Sequence, residues 1–176
     1  MYSIIFFGTS SFAIPSLERL ASDPRFHVVA VVTQPDRPVG RKAVLTEPPV
    51  KTVAKRLKIL VKQFERIKSD EAFEELKTIP ADLGVVASYG QIIPARVLTL
   101  PVHGMVNIHG SLLPKYRGAS PIAAAILHGE QETGVTFMKM DEQLDHGDTF
   151  GAVKTSITAD ETAETLHDRL AALAAV

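Results

Sequence analysis

The chain contains no cysteine. That excludes disulfides, thiolate metal ligands and a thiol nucleophile, and it is compatible with a reducing cytoplasm, where the protein is expected to work. Long hydrophobic runs are missing too. None approaches the ~18–20 residues needed to cross a bilayer, so no membrane partner is expected. The N-terminus, MYSIIFFGTS, has neither the basic flank nor the long apolar centre of a secretion signal. Three further absences narrow the chemistry. The turn Gly8-Thr9-Ser10-Ser11-Phe12-Ala13 has one glycine where a dinucleotide-binding turn needs three, and no G-x-x-x-x-G-K-[ST] run occurs. No H-x-x-x-H pair exists, and no carboxylate has ligand-like spacing to a second histidine.

What is present fits one domain of 176 residues with an ordinary apolar content of 45%. The formal net charge of −1 hides a split. From Arg37 to Lys68 there are ten Lys/Arg and two acids, Glu47 and Glu65, whereas His128 to Asp168 carries ten Asp/Glu against Lys139 and Lys154. The basic run is either a face for phosphates or a set of solvated helix surfaces.

Strand and helix patterns alternate along the chain. Tyr2–Phe7 and Phe26–Thr33 read as buried strands flanking a helix with Phe12, Leu17 and Leu20 inward, capped by Ser10 or Ser11. Gln34 to Pro49 holds four prolines and reads as a long loop. Helices follow at Val50–Lys58, Asp70–Lys77, Pro94–Leu98, Ala119–His128 and from Ala163 to about Ala175. Strands are expected at Ile59–Val61, Leu83–Ala87, Met105–His109, Thr133–Lys139 (one face exposed) and Thr149–Ile157. This is an α/β pattern: a Rossmann-like, mostly parallel central sheet with helices on both faces, binding ligand along one strand-end edge.

The stretch VNIHGSLLPKYRGASPI concentrates the chemistry. Asn107 and His109 are two apart on a strand and so project from the same face. An amide and an imidazole side by side at a strand end, before a turn at Gly110-Ser111, suit polarisation of a carbonyl; a buried structural histidine is the alternative reading. The loop Asp141-Glu142-Gln143-Leu144-Asp145-His146-Gly147-Asp148 is a second polar cluster. Its acids either hold a hard cation, although the D-x-D-x-D-G spacing is lacking, or supply a carboxylate to His109.

Two long motifs narrow these alternatives. Asn107-x-His109-Gly110-Ser111-Leu112-Leu113-Pro114-x-Tyr116-Arg117-Gly118-Ala119-x-Pro121-Ile122 resembles the signature of formyltransferases that use 10-formyltetrahydrofolate. Gly134-Val135-Thr136 with Met140-Asp141-Glu142-x-Leu144-Asp145-x-Gly147-Asp148 resembles their second motif. Thr33-Gln34-Pro35-Asp36-Arg37-Pro38-x-Gly40-Arg41 is similar to the methionyl-tRNA formyltransferases among them. The resemblance implies that residues 1–176 are a catalytic N-terminal domain, with a tRNA-binding barrel domain outside this chain. It implies Asn107, His109 and Asp145 as the catalytic trio, and 10-formyltetrahydrofolate as co-substrate without a metal. It further implies a folate site formed by Ser111, Leu112, Leu113 and Pro114, walled by Val86, Ser88, Tyr89, Gly90 and Asp141. Initiator methionyl-tRNA is the implied partner, met by Arg37, Arg41 and Lys42, and a monomer is expected. A related enzyme for an amino-sugar nucleotide or small amine, or a folate- or RNA-binding fragment without turnover, is the competing expectation. The chain departs from the resembled pattern at Ser10 (usually Pro), Phe64 (Pro), Gln143 (Gly) and His146 (Thr). Gln143 is the departure expected to matter, because a glycine there tolerates backbone geometry that a β-carbon resists.

Overall fold

A computed structural model describes residues 1–175. Apolar segments alternate as strands and helices: β1 (Tyr2–Gly8), α1 (Ile14–Ser22), β2 (Phe26–Thr33), β3 (Arg37–Val39), β4 (Val44–Thr46), α2 (Pro49–Arg56), β5 (Leu60–Gln63) and α3 (Asp70–Lys77). They continue as β6 (Leu83–Ala87), α4 (Ala95–Leu98), β7 (Met105–His109), α5 (Pro121–Leu127), β8 (Glu132–Lys139), β9 (Thr149–Ser156) and α6 (Ala163–Leu173). The main sheet runs β5-β2-β1-β6-β7-β8-β9. It is parallel from β5 to β7, and β8 and β9 add antiparallel. Chain order reverses between β1 and β6, so a ligand crevice belongs at the carboxyl ends of these strands.

Two apolar layers sandwich the sheet. On one face Phe6, Val31, Val85, Ile108 and Val135 meet Leu17 of α1, Val53 of α2 and Leu166 and Leu170 of α6. On the other, Phe7, Val32, Val86 and Met105 meet Leu76 of α3 and Val97 of α4. Leu170 is completely buried. Leu170→Ala is expected to lower stability by ~2–5 kcal/mol, read as a reduced urea midpoint at unchanged m-value.

Several local expectations change. Pro121 sits in the first turn of α5, where its missing N–H costs nothing, so that helix starts two residues later than the alanine pattern suggests. Ser10 does not cap α1. Its hydroxyl bonds the Ser88 hydroxyl at 2.7 Å, and a 3-10 turn at Ser11–Ala13 leads into the helix. Strand β8 is buried on both faces from Thr133 to Thr136 rather than exposed on one, because the Ser111–Leu113 turn lies against Thr136. Within the proline-rich segment, Arg37–Val39 pairs with Val44–Thr46 as a hairpin closed by a turn at Gly40–Ala43. Gly40, at φ +72°, supplies a left-handed position that this turn uses. Pro38 is tolerated because the little strand has a free edge. Phe64, where the resembled pattern has Pro, enters the core beside Ile67 and Leu76.

Candidate active site

Strand β7 places the central pair. Ile108 faces the layer of α1 and α6, and Met105 faces the layer of α3 and α4. Alternation therefore sends Asn107 and His109 to the α3–α4 side, as the sequence pattern requires. The loop between β8 and β9 brings Asp145 over them. Asn107 Nδ2 donates to Asp145 Oδ1 at 3.1 Å, and the same oxygen lies 3.6 Å from His109 Nδ1. The backbone N–H of Gly118 donates to Oδ2 at 2.8 Å. The side chains of His109 and Asp145 are 6% and 9% exposed, so the carboxylate is removed from water and held by three groups of the chain. At its other nitrogen, Nε2, His109 meets the Tyr116 carbonyl oxygen at 2.9 Å. Both ring nitrogens thus face oxygen atoms.

The supporting turns are strained where they must be. Asp145 has φ +47°, Tyr116 +56° and Ser88 +46°, left-handed values that side-chain-bearing residues rarely adopt. Gln143, in contrast, is absent from the left-handed residues, and its N–H donates to Asp141 Oδ1 at 2.8 Å. The expectation that its β-carbon would disturb the loop does not hold. Gly147 is the position in that loop without room: a β-carbon there would overlap the Lys139 carbonyl oxygen. His146 bonds the Asp141 carboxylate at 3.0 Å and, with the Gln143 N–H, holds that carboxyl below its usual range. The loop after β7 has its own latch. Glu130 accepts from Lys115 Nζ at 2.8 Å and from the Tyr116 hydroxyl at 2.6 Å. Lys115 accordingly draws the Glu130 carboxyl down, and Glu130 pushes the Tyr116 phenol up.

The remaining expected residues divide. Asp141 lines an open cleft of about 550 Å³ whose other walls are α4, the turn of residues 101–104 before β7, Lys139, Met140 and Glu142; it lies at the amino end of β7, and Asn107, His109 and Asp145 do not line it. The α4 residues carry no polar signal in the sequence that would have singled them out. Ser88 and Gly90 are exposed in the turn after β6. Val86 and Tyr89 are buried; the Tyr89 ring packs edge-on against Phe7 in the core, so its side chain does not wall the cleft, and its backbone carbonyl instead accepts from Thr9 and Gln34. Ser111 is fully buried and donates to the Lys115 carbonyl at 2.6 Å. Thr136 Oγ1 donates to the Ser111 carbonyl and accepts from the Leu113 N–H, and the Leu112 carbonyl accepts from the Lys115 N–H. Ser111 to Leu113 therefore spend these groups on shaping the turn, and Pro114 is exposed. Arg37 is engaged with Glu65 at 2.6 Å. Arg41 and Lys42 sit at the exposed hairpin turn, with no ion pair among the described residues. The basic run as a whole is not a free phosphate face: Lys51, Lys55, Arg56 and Lys62 pair with Asp36, Glu47, Glu18 and Glu75. No three His, Asp or Glu side chains converge as metal ligands among the described residues.

The family model described as formyl transferase matches residues 2–175. The chain belongs to the formyl transferase family. Among curated relatives, this formyl transferase is 51% identical over 175 residues to a methionyl-tRNA formyltransferase of Listeria innocua, covering 99% of the chain and 55% of the relative. It is also 51% identical over 170 residues to the methionyl-tRNA formyltransferase of Macrococcus caseolyticus, covering 97% of the chain and 54% of the relative. The chain thus spans about half the length of the curated relatives it matches. Among solved structures it superposes on phosphoribosylglycinamide formyltransferase from Bacillus halodurans with a TM-score of 0.81 and 26% identity, covering 98% of this chain and 89% of that one. The Rossmann-like, mostly parallel sheet expected from the sequence is therefore the formyl transferase fold. Among the described residues no helix is long and apolar enough to cross a membrane.

Proposed function

We propose that the chain is the formyl-donor domain of a methionyl-tRNA formyltransferase. It would transfer formyl from 10-formyltetrahydrofolate to the amino group of initiator methionyl-tRNA for translation initiation, as a monomer in the cytoplasm. The observation that carries the transfer chemistry is the convergence of Asn107, His109 and the Gly118 N–H on Asp145. The identity to methionyl-tRNA formyltransferases and the exposed Arg41 favour the acceptor over a small amine.

When bound, the folate supplies an activated formyl group on a nitrogen leaving group. The residues of the chain do the rest. The second N–H of Asn107 and the Nε2–H of His109 donate to the formyl oxygen as negative charge gathers there, with that oxygen taking the place of the Tyr116 carbonyl at Nε2. Asp145 keeps His109 oriented and charged, and accepts or relays the proton lost by the attacking amine. A carbon–nitrogen bond forms to the methionyl amine as the bond to the folate nitrogen breaks, and that nitrogen takes up a proton.

Arg41 and Lys42 would meet acceptor-stem phosphates, so tRNA binding should weaken steeply with salt. Arg41→Ala is expected to raise KM for methionyl-tRNA while the dissociation constant for 10-formyltetrahydrofolate stays put. Unchanged tRNA kinetics would remove Arg41 from the interface. The function itself is tested by offering methionyl-tRNA, glycinamide ribonucleotide and an amino-sugar nucleotide to the protein with 10-formyltetrahydrofolate. Transfer to methionyl-tRNA alone is expected. Transfer to a small acceptor alone, or donor binding without any transfer, would overturn the proposal.

A further inference from the structure

Apart from the exposed Arg37–Glu65 ion pair, little holds the β3–β4 hairpin. Every residue from Arg37 to Thr46 is exposed, and the two strands are three residues each. An isolated ribbon of that length is not stable in water by itself. Its direction therefore depends on its two feet, Asp36 and Glu47, which flank the strands immediately before and after.

Lys51 reaches both feet, and Lys55 bonds Glu47 as well. Lys51 Nζ lies 2.7 Å from each Asp36 carboxylate oxygen and 3.3 Å from Glu47 Oε1. The Lys51 side chain is only 12% exposed, the most sheltered lysine among the ion pairs of the chain. Lys51 also sits in the first turn of α2, the wrong end of a helix for a cation, because the exposed N–H groups there carry partial positive charge. A lysine buried against an unfavourable helix end indicates that the carboxylates, not the helix, dictate its place. Asp36 accordingly lies below the usual carboxylate range, chiefly through Lys51, and Lys51 is raised chiefly by Asp36. Gln63, on β5, completes the anchor by donating to Asp36 Oδ1 and to the Gln34 carbonyl, each at 2.8 Å. Gln34 in turn donates to the Tyr89 carbonyl in the turn after β6. The hairpin is thus tied by its feet to the carboxyl edge of the sheet, the edge where His109 ends β7.

We infer that Lys51 is a positioning residue that clamps both feet of the hairpin and so fixes the direction in which Arg41 is presented to the nucleic-acid acceptor. The part concerning the acceptor rests on the proposed function; the clamp does not. Lys51→Met should raise KM for methionyl-tRNA by on the order of tenfold, with KM for 10-formyltetrahydrofolate and kcat little changed. Lys51→Arg, which keeps the charge, should recover most of the loss. The decisive comparison is in the Arg41→Ala background. If Lys51 acts by aiming Arg41, Lys51→Met there adds little, whereas independent action gives additive losses. In parallel, trypsin should cleave after Arg41 faster in Lys51→Met than in the parent, because local opening sets the rate of cutting in an ordered turn. Kinetics should be measured on the full-length gene product, and thermal melting should establish that each variant is folded.

Non-additive KM effects with faster cleavage support the inference. Additive effects, an equal rise in the donor KM, or unchanged cleavage overturn it. A parent protein that formylates no methionyl-tRNA would instead sink the proposed function, and the cleavage rates would still decide the clamp.

Discussion

Asp145→Asn is expected to lower formyl transfer by about 10³-fold, equivalent to about 4 kcal/mol in the transition state, while the protein melts near the parent temperature. The expectation follows from hydrogen-bond sense. The carboxylate accepts from Asn107 Nδ2 and from the Gly118 N–H, and faces Nδ1 of His109. Asn107 and Gly118 both bring hydrogens, one to each carboxylate oxygen. An asparagine has one oxygen and one NH₂ group, so either orientation sets a donor against a donor. One orientation loses Gly118 and with it the loop after β7. The other faces Asn107 and His109, and removes the negative charge opposite the imidazole. Both impair the groups that meet the formyl oxygen. Single-turnover transfer from 10-formyltetrahydrofolate is the measurement, and a rate within about threefold of the parent would mean that Asp145 contributes less than ~1 kcal/mol.

Gly147→Ala is expected to be the next most damaging change, with transfer reduced by about 10²-fold although no functional atom is removed. Its new β-carbon would overlap the Lys139 carbonyl, which belongs to the end of β8 and cannot easily retreat. The loop must shift, and Asp145 stands two residues away on a left-handed backbone. A displacement of an ångström there separates the carboxylate from Asn107 and His109. Gln143→Gly serves as the control: Gln143 has no left-handed backbone to relieve, so transfer should stay within about twofold of the parent. Equal losses in the two variants would show that the loop responds to any change of sequence rather than to the overlap.

Side-chain alternation is the part of the site that the sequence carries most directly. The apolar residues of β7 divide between two cores, and that division alone puts Asn107 beside His109. The partnership with Asp145 is not visible in any periodicity, since 36 residues and an irregular loop separate it from His109; there the motif resemblance supplied what spacing could not. Backbone atoms leave no mark in a sequence, which is why the Tyr116 carbonyl on His109 and the spent N–H and C=O groups of Ser111 to Leu113 were out of reach. Charge counting misled for a related reason. The carboxylates that neutralise Arg56 and Lys62 are Glu18 and Glu75, far away in the chain or on another helix, so a window over residues 37–68 records the lysines and arginines without their partners. Proline counting likewise described a loop where a hairpin stands, because Gly40 and the exposed edge remove the two usual objections to pairing.

The contact between His109 and Tyr116 has a thermodynamic reading. In the proposed mechanism the formyl oxygen takes the place of the Tyr116 carbonyl at Nε2, so the main-chain oxygen would compete with the substrate for this nitrogen. Any measured donor affinity is then the intrinsic affinity multiplied by the fraction of molecules whose Tyr116 carbonyl has swung aside. Glu130, which grips Lys115 and the Tyr116 hydroxyl, is placed to bias that fraction from outside the trio. On that mechanism, a carboxylate outside the trio would govern how readily the imidazole is released.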